Sequence, residues 1–251
     1  MSLTVRNLSK SYREKGLTTD IFRDLNLTIE SGSFVSLIGP SGSGKSTLCN
    51  LIAGIEKPDK GWVYLDDKDI TARPGHVGYM FQKDLLLPWR TLLENVTLGC
   101  DLRKMDRTCS REEAIKGLER FGLRDFTHYY PDQLSGGMRQ RGALLRTILF
   151  GQSTLVLDEP FGALDALTRR EMQRWLLSIW QVMKHTVLFI THDIEEAILL
   201  SDKILVLSKP PARVIKNFEI PFPRPRDPEL IFAKDILPLK TELFHLLEKL
   251  T

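Results

Sequence analysis

Cysteine is scarce in this chain. Its 251 residues hold three, Cys49, Cys100 and Cys109. They form no CxxC pair, and His128 is too isolated to complete a metal set, which excludes a zinc module and a disulfide-stapled scaffold. The thiols read as buried or incidental groups in a reducing compartment. Long apolar runs are lacking too. Residues 147–157 carry no charge, but Asp158 and Glu159 end the run, and 175–183 is shorter still. A membrane-spanning helix needs roughly 18 to 20 apolar residues. Residues 1–10 alternate polar and apolar and have no signal-peptide core, so the chain is expected to stay in the cytoplasm and to need help to act on a membrane. An excess of one charge is also missing. Thirty-five basic residues against 32 acidic ones leave +3, which gives no electrostatic reason to expect a nucleic-acid partner. Internal repeats, low-complexity tracts and extended heptads are absent. What is present is 42% hydrophobic and 27% charged residues, an ordinary globular balance with enough apolar material for a core. The length suits one large domain, or one with a small subdomain.

Short apolar runs alternate with helical spacing, the pattern of an α/β protein. Strands are expected over 3–8, 26–29, 33–38 and 62–65, where β-branched or aromatic residues lie between glycines and charged turns. Residues 33–38 are almost continuously apolar and lead into a glycine-rich loop, as a buried central strand does. The stretch 92–130 is charged and helical, with Ala114, Ile115, Leu118 and Phe121 on one face. Further core strands are expected over 154–157, 187–190 and 204–207. The first two end in polar clusters, Asp158-Glu159 and Thr191-His192-Asp193, where open α/β sheets hold their ligands. Residues 165–183 read as an amphipathic helix with Asp165 as its N-cap. The proline- and arginine-rich segment 209–228 reads as a surface extension with little regular structure, and 232–250 returns to helical spacing.

Gly39-Pro40-Ser41-Gly42-Ser43-Gly44-Lys45-Ser46-Thr47 fits G-x-x-x-x-G-K-[ST]. Glycines let the backbone wrap phosphate oxygens and accept positive φ. The loop N–H groups and the helix expected from 46 to 55 favour an anion. Lys45 reaches the β- and γ-phosphates, the Ser46 hydroxyl can ligate Mg²⁺, and Thr47 can bond the α-phosphate. A chance match in a chain of this length is on the order of 1%. The strand 154–157 ends at Asp158, placed to hold Mg²⁺, and at Glu159, placed to orient and deprotonate water beside the γ-phosphate. An Asp-Glu pair alone is also an ordinary solvated turn; after this strand and beside this loop it is a hydrolytic pair.

Leu134-Ser135-Gly136-Gly137-Met138-Arg139-Gln140 resembles the LSGGQ signature of the ATP-binding cassette (ABC) ATPases. Two glycines, a serine and a helix start make a second anion site. The resemblance covers essentially the whole chain, 1–251, as a single domain. It implies a P-loop NTPase fold of the ABC ATPase type, with a mixed RecA-like core sheet and an antiparallel β subdomain over 1–90 and 150–208. A helical subdomain over 91–149 carries the signature, and a C-terminal extension spans 209–251. On this resemblance Tyr12 matches the aromatic that stacks on adenine, and Gln82 the glutamine that senses metal and attacking water. Ala163-Leu164-Asp165 matches a loop that crosses a dimer interface, and His192 a histidine on the γ-phosphate. Met138 replaces the usual glutamine, while Ser135 and Gly137 are unchanged. The Met-Arg-Gln-Arg continuation, Leu86-Leu87-Pro88-Trp89, the run Asp158 to Thr168 and Pro223-Arg224-Pro225-Arg226 look like the importer ATPases for nitrate, sulfonate, taurine, bicarbonate or thiamine-precursor uptake. Thr147 departs from the alanine common there.

The resemblance implies an ATPase with ATP and Mg²⁺. Its catalytic group is Glu159, His192, Gln82 and Lys45, and its metal set Ser46, Gln82 and Asp158. Its nucleotide contacts are Tyr12, residues 39–47, Ser135, Gly136, Gly137 and Asp165. It further implies a head-to-tail homodimer at the cytoplasmic face of a membrane, coupled to permease subunits. A periplasmic or lipid-anchored substrate-binding protein acts indirectly, and no nucleic acid takes part. The loop 83–90 is the expected permease contact, since Leu85, Leu86, Leu87 and Trp89 are too apolar for a free surface loop. A soluble cassette ATPase of DNA repair or translation is the alternative. It commonly carries coiled coils or two cassettes, and this chain shows one cassette and no long heptads. A GTPase would need an Asn-Lys-x-Asp motif, which is absent. The cargo is not written in this chain.

Overall fold

Two sheets divide the strands, and the sequence pattern explains the division. In a computed structural model that describes residues 1–14, 16–224 and 226–250, the chain opens with β1 (Leu3–Glu14) and β2 (Leu17–Ile29). Then follow β3 (Phe34–Ile38), α1 (Lys45–Ile52), β4 (Lys60–Leu65), β5 (Lys68–Asp69) and β6 (Gly78–Met80). Helices α2 (Leu92–Val96), α3 (Leu98–Leu102), α4 (Arg107–Arg120) and α5 (Gly136–Leu149) come next. The chain returns to the sheet with β7 (Thr154–Asp158), α6 (Ala166–Met183), β8 (Thr186–Ile190), α7 (Ile194–Leu200), β9 (Lys203–Leu207) and β10 (Val214–Glu219), and α8 (Leu237–Leu250) follows.

The larger sheet has the order β10-β9-β3-β8-β7-β6. Its inner strands pair in parallel and β10 runs antiparallel at one edge. Every residue of β3, β7 and β8 is buried, and their side chains alternate between two faces. Leu155, Leu157, Val187 and Phe189 enter the core under the helices α2–α6. Val156, Leu188 and Ile190 enter the core shared with α1 and the second sheet. That second sheet, β2-β1-β4-β5, is antiparallel. Its first two strands run further than the apolar pattern predicts, with irregular pairing where Asn7 and Asp24 take positive φ. The extension carries Tyr12, paired with Thr19.

The helix over 165–183 is confirmed as α6, with Asp165 accepting from the N–H groups of Leu167 and Thr168 at 3.1 and 3.0 Å. Segment 209–228 is where the expectation of little regular structure fails. β10 lies within it and pairs with β9. Arg226 is 7% exposed and donates through Nη1 to Ile198 O at 2.9 Å and to the Ser201 carbonyl, while Arg224 Nε donates to Asp202 Oδ1 at 2.7 Å. The arginines therefore close the C-terminal end of α7 rather than face water. Pro225 of the Pro-Arg-Pro-Arg stretch lies outside the described residues, as do Lys15 and Thr251. The helical spacing from 232 resolves into short 3₁₀ turns and then α8. Among the described residues no helix is long and apolar enough to cross a membrane.

Candidate nucleotide site

The phosphate loop follows β3 at its carboxyl end, and α1 starts from Gly44 in the left-handed region, φ 88°. The loop backbone takes this turn because glycine has no Cβ to oppose it. Lys45 Nζ donates to the carbonyls of Gly39 and Pro40, both at 2.9 Å, and contacts Ser43 Oγ at 3.4 Å. Its ammonium thus lies over the loop. Burial lowers the Lys45 pKa, with Glu159 and Asp158 acting against this by their charge.

Asp158 and Glu159 stand at the end of β7, facing this lysine. Burial pushes the Asp158 carboxyl above the usual carboxylate range, while a hydrogen bond from the Ser46 hydroxyl and the charge of Lys45 oppose it. Glu159 takes φ 48°, unusual for a side chain of this size. Its N–H donates to Ile190 O at 3.0 Å, which ties the turn to the end of β8. The carboxylate is bracketed: Gln82 Nε2 donates to Oε2 at 3.2 Å, and His192 Nδ1 lies 3.3 Å from Oε1. Glu159, Gln82 and His192 therefore converge although up to 110 residues separate them in sequence. The His192 side chain is 70% exposed and so is open to a bound molecule.

Tyr12 lies at the same end of the molecule. The residue is 41% exposed, its hydroxyl donates to Glu56 Oε2 at 2.8 Å, and Lys10 Nζ sits 5.2 Å from the ring centre. Burial and Glu56 raise its pKa, against a hydrogen bond with Thr47.

The donor set at Ser46, Asp158 and Gln82 is all oxygen. No cluster of three or more His, Cys, Asp or Glu suited to a metal exists among the described residues. One carboxylate with a hydroxyl and an amide oxygen fits Mg²⁺, a hard cation that completes its octahedron with phosphate and water, and does not fit a protein-caged transition metal.

Ser135 is the N-cap of α5, its Oγ accepting from Met138 N at 3.2 Å. Gly136 and Gly137 open that helix. Among the described residues no hydrogen bond or ion pair joins 135–137 to the loop 39–47. A Cβ on Gly137 would lie 3.3 Å from Leu164 Cδ2, so the signature rests on the 163–165 loop. Asp165 itself is exposed, and hydrogen bonds from Thr168 hold its carboxyl below the usual range.

The apolar loop 83–90 divides. Leu86 is buried in the helical-side core, Leu87 is half-buried, and Leu85 and Trp89 are 49% and 71% exposed. The residues that brace it were not singled out from sequence. Asn95, fully buried, accepts from Leu87 N at 2.7 Å and donates to the carbonyls of Leu87, Arg90 and Thr91. Arg139 Nε donates to Asp84 Oδ2 at 3.0 Å, and Arg146 donates to the carbonyls of Asp84 and Leu85. Only the side chains' long-range partners reveal these roles. The Met-Arg-Gln-Arg pattern, which includes Arg139, was the one available hint.

A family model described as ABC transporter matches residues 22–162. The taurine import ATP-binding protein of Pseudomonas aeruginosa is 40% identical over 222 residues, covering 88% of this chain and 84% of that protein. The nitrate import ATP-binding protein of Synechococcus elongatus is 43% identical over 211 residues, covering 83% and 77%. A dimeric ATP-binding cassette solved in a post-hydrolysis state with ADP and Pi superposes with a TM-score of 0.80 at 31% identity, over 88% of this chain and 99% of that one. With the phosphate loop, acid pair and signature set on this fold, the chain belongs to the ABC transporter family as one of its ATPase cassettes.

Proposed function

We propose that this chain is the ATP-hydrolysing subunit of an importer and works as a head-to-tail pair at the cytoplasmic face of a membrane. The observation that carries the reading is the convergence of Gln82 and His192 on Glu159, next to Lys45 and Asp158. In each site Lys45 and the loop N–H groups hold the β- and γ-phosphates, and Tyr12 stacks on the base. Ser135 and Gly137 of the second copy close over the γ-phosphate in a two-fold head-to-tail pair, a reading supported by the similarity to cassettes solved as dimers. Glu159 accepts a proton from the attacking water while His192 and Gln82 keep the carboxylate and the water in line. The γ-phosphoryl group passes to that water and ADP leaves.

Ser46, Asp158 and Gln82 would hold Mg²⁺, which supplies charge neutralisation of the phosphate oxygens. Loss of the γ-phosphate removes the ligand that joins the copies, and the pair opens.

The permease contact rests on Leu85 and Trp89. Beside that loop an apolar cleft of about 230 Å³ is lined by Ile55, Tyr79, Phe81, Leu98, Leu102 and Phe150. The relatives named for taurine and nitrate import support an importer; a substrate-binding protein that supplies the cargo is part of the proposal.

Glu159→Gln tests the catalytic assignment. The variant should bind ATP with unchanged affinity, lose ATP hydrolysis by roughly two orders of magnitude or more, and accumulate as a dimer when ATP is added. Hydrolysis at the wild-type rate would remove Glu159 from the role of base.

A further inference from the structure

One side chain outside the site described above joins the loop after β7 to the loop after β8. Arg169, in the first turn of α6, donates through Nη2 to Leu164 O at 3.1 Å. The same guanidinium lies 3.9 Å from Asp193 Oδ2 through Nη1 and 3.8 Å from Glu196 Oε1 through Nε. Glu196 is 6% exposed, accepting from Gln173 Nε2 at 3.1 Å and from Thr191 Oγ1 at 2.7 Å. Thr191 Oγ1 in turn accepts from Asp193 N at 3.0 Å. Thr191 and Asp193 flank His192, so the network fixes the backbone on both sides of that histidine. At its other end Leu164 packs against Gly137 of the signature. A continuous path of contacts therefore runs from signature to 163–165 loop to Arg169 to Glu196 to the histidine loop.

Stability alone is a poor reason for this arrangement. A half-buried guanidinium facing a buried carboxylate loses hydration on both sides, and apolar residues of similar volume fill such a space at no net loss. The set is also incompletely bonded. Arg169 Nε is buried without a hydrogen-bond partner, and a buried donor in that state calls for a reason. At 3.8 Å from Glu196 it is less than about 1 Å outside hydrogen-bond range.

We propose that Arg169 is a positioning residue that couples the partner-facing loop 163–165 to His192, so that docking of the second copy sets the histidine for hydrolysis. The inference rests on the head-to-tail reading above. Within one copy, the signature serves the partner's ATP and His192 serves its own, and Arg169 links the two.

The test is a double-mutant cycle on ATP hydrolysis by the full chain: wild type, Arg169→Ala, His192→Ala and the double variant, with nucleotide affinity measured on each. Arg169→Ala should lower kcat roughly 10- to 100-fold while affinity and KM stay within about twofold. It should add nothing to the loss already present in His192→Ala. Multiplicative losses in the double variant, or a wild-type kcat in Arg169→Ala, overturn the proposal. If Arg169→Ala does not fold, Glu196→Gln serves in its place. It keeps the volume facing Thr191 and Gln173, removes the charge facing Arg169, and carries the same expectation. A loss in His192→Ala with none in Arg169→Ala overturns the coupling alone. Full hydrolysis by His192→Ala overturns it together with the site reading beneath it.

Discussion

Two glycines of the phosphate loop share a backbone conformation and differ in their surroundings. That difference gives a prediction with a worked magnitude. Gly42 and Gly44 have φ of +76° and +88°. A Cβ on Gly42 would meet nothing within 4 Å, whereas on Gly44 it would lie 2.5 Å from Ile21 Cγ2 and 2.8 Å from Phe22 Cζ. Phe22 is 1% exposed and Ile21 Cγ2 branches directly from Cβ, so neither atom can swing aside cheaply. Gly42→Ala therefore costs only the left-handed backbone, about 1–2 kcal/mol. Gly44→Ala adds overpacking of about 1–3 kcal/mol, for about 2–5 kcal/mol in all. In a chain of this size each kcal/mol moves the melting temperature by roughly 2–4 °C. Gly44→Ala should thus melt roughly 2–12 °C below Gly42→Ala. Thermal unfolding followed by circular dichroism, with both variants in the same buffer and without nucleotide, measures the gap. Gly44 is the N-cap of α1, so its displacement also shifts Lys45 and Ser46. ATP affinity should fall further in Gly44→Ala than in Gly42→Ala. Equal midpoints, or a higher one for Gly44→Ala, refute the reasoning, because they would mean that β2 yields freely to the new methyl group.

Three more outcomes follow from particular residues. Asp158 is raised by burial; a carboxyl raised in the fold favours folding most below its unfolded pKa and loses that contribution as pH climbs through the folded value. Asp158→Asn should therefore melt higher than wild type at pH 7, with the gain shrinking toward pH 4, while ATP hydrolysis falls by roughly two orders of magnitude; a lower midpoint at pH 7 contradicts this. Arg226, whose pKa burial lowers to about 10, stays charged at neutral pH. Arg226→Met strips the carbonyls of Ile198 and Ser201 of their donor and should cost about 2–4 kcal/mol in urea unfolding; a loss under about 0.5 kcal/mol, the range of ordinary surface substitutions, argues against the helix-closing role. Trp89→Glu should leave ATP hydrolysis by the isolated chain within about twofold, as its side chain is outside the site, and should abolish uptake by the assembled transporter; normal uptake removes the loop from the permease contact.

The parts of this molecule that were legible in its sequence are those whose partners lie nearby or whose environment is uniform. Strands β3, β7 and β8 are covered on both faces, so their apolar runs mark them to within about a residue. The phosphate loop and the acid pair are contiguous, and their chemistry can be read in place. The tail was misjudged because Arg224 and Arg226 look solvated by composition. Their partners, Asp202 and the last carbonyls of α7, lie 22 to 28 residues away, and Arg224 also stacks 4.2 Å from the Trp180 ring centre. No local pattern carries that information. Asn95 is a similar case: a polar residue in a short helix looks exposed, and here it is fully buried because four backbone groups of the neighbouring loop surround it. The bracketing of Glu159 by Gln82 and His192 is likewise a product of strand order. β6, β7 and β8 are neighbours in the sheet, so three loops far apart in sequence open at one edge.

The same strand order explains why the cargo stays out of reach. The polar groups gathered at that edge partner one another and the phosphate-loop backbone, and on the function proposed above they serve phosphate, water and base rather than a solute. The relatives agree with this: at 40% and 43% identity to this chain, one is named for taurine and the other for nitrate. Residues that keep the hydrolytic edge intact therefore place no constraint on the solute, and discrimination must enter where the cassette meets other chains. Leu86, Asn95, Arg139 and Arg146 hold the frame of the 83–90 loop from within, whereas Leu85 and Trp89 project from it. Exchanging those two side chains for ones of different shape should change which permease is engaged and leave the rate of ATP hydrolysis by the isolated chain alone, since complementarity at the contact sets partner choice and the frame sets the loop. An exchange that slows hydrolysis in the isolated chain would show instead that the loop tip and the catalytic edge are one unit.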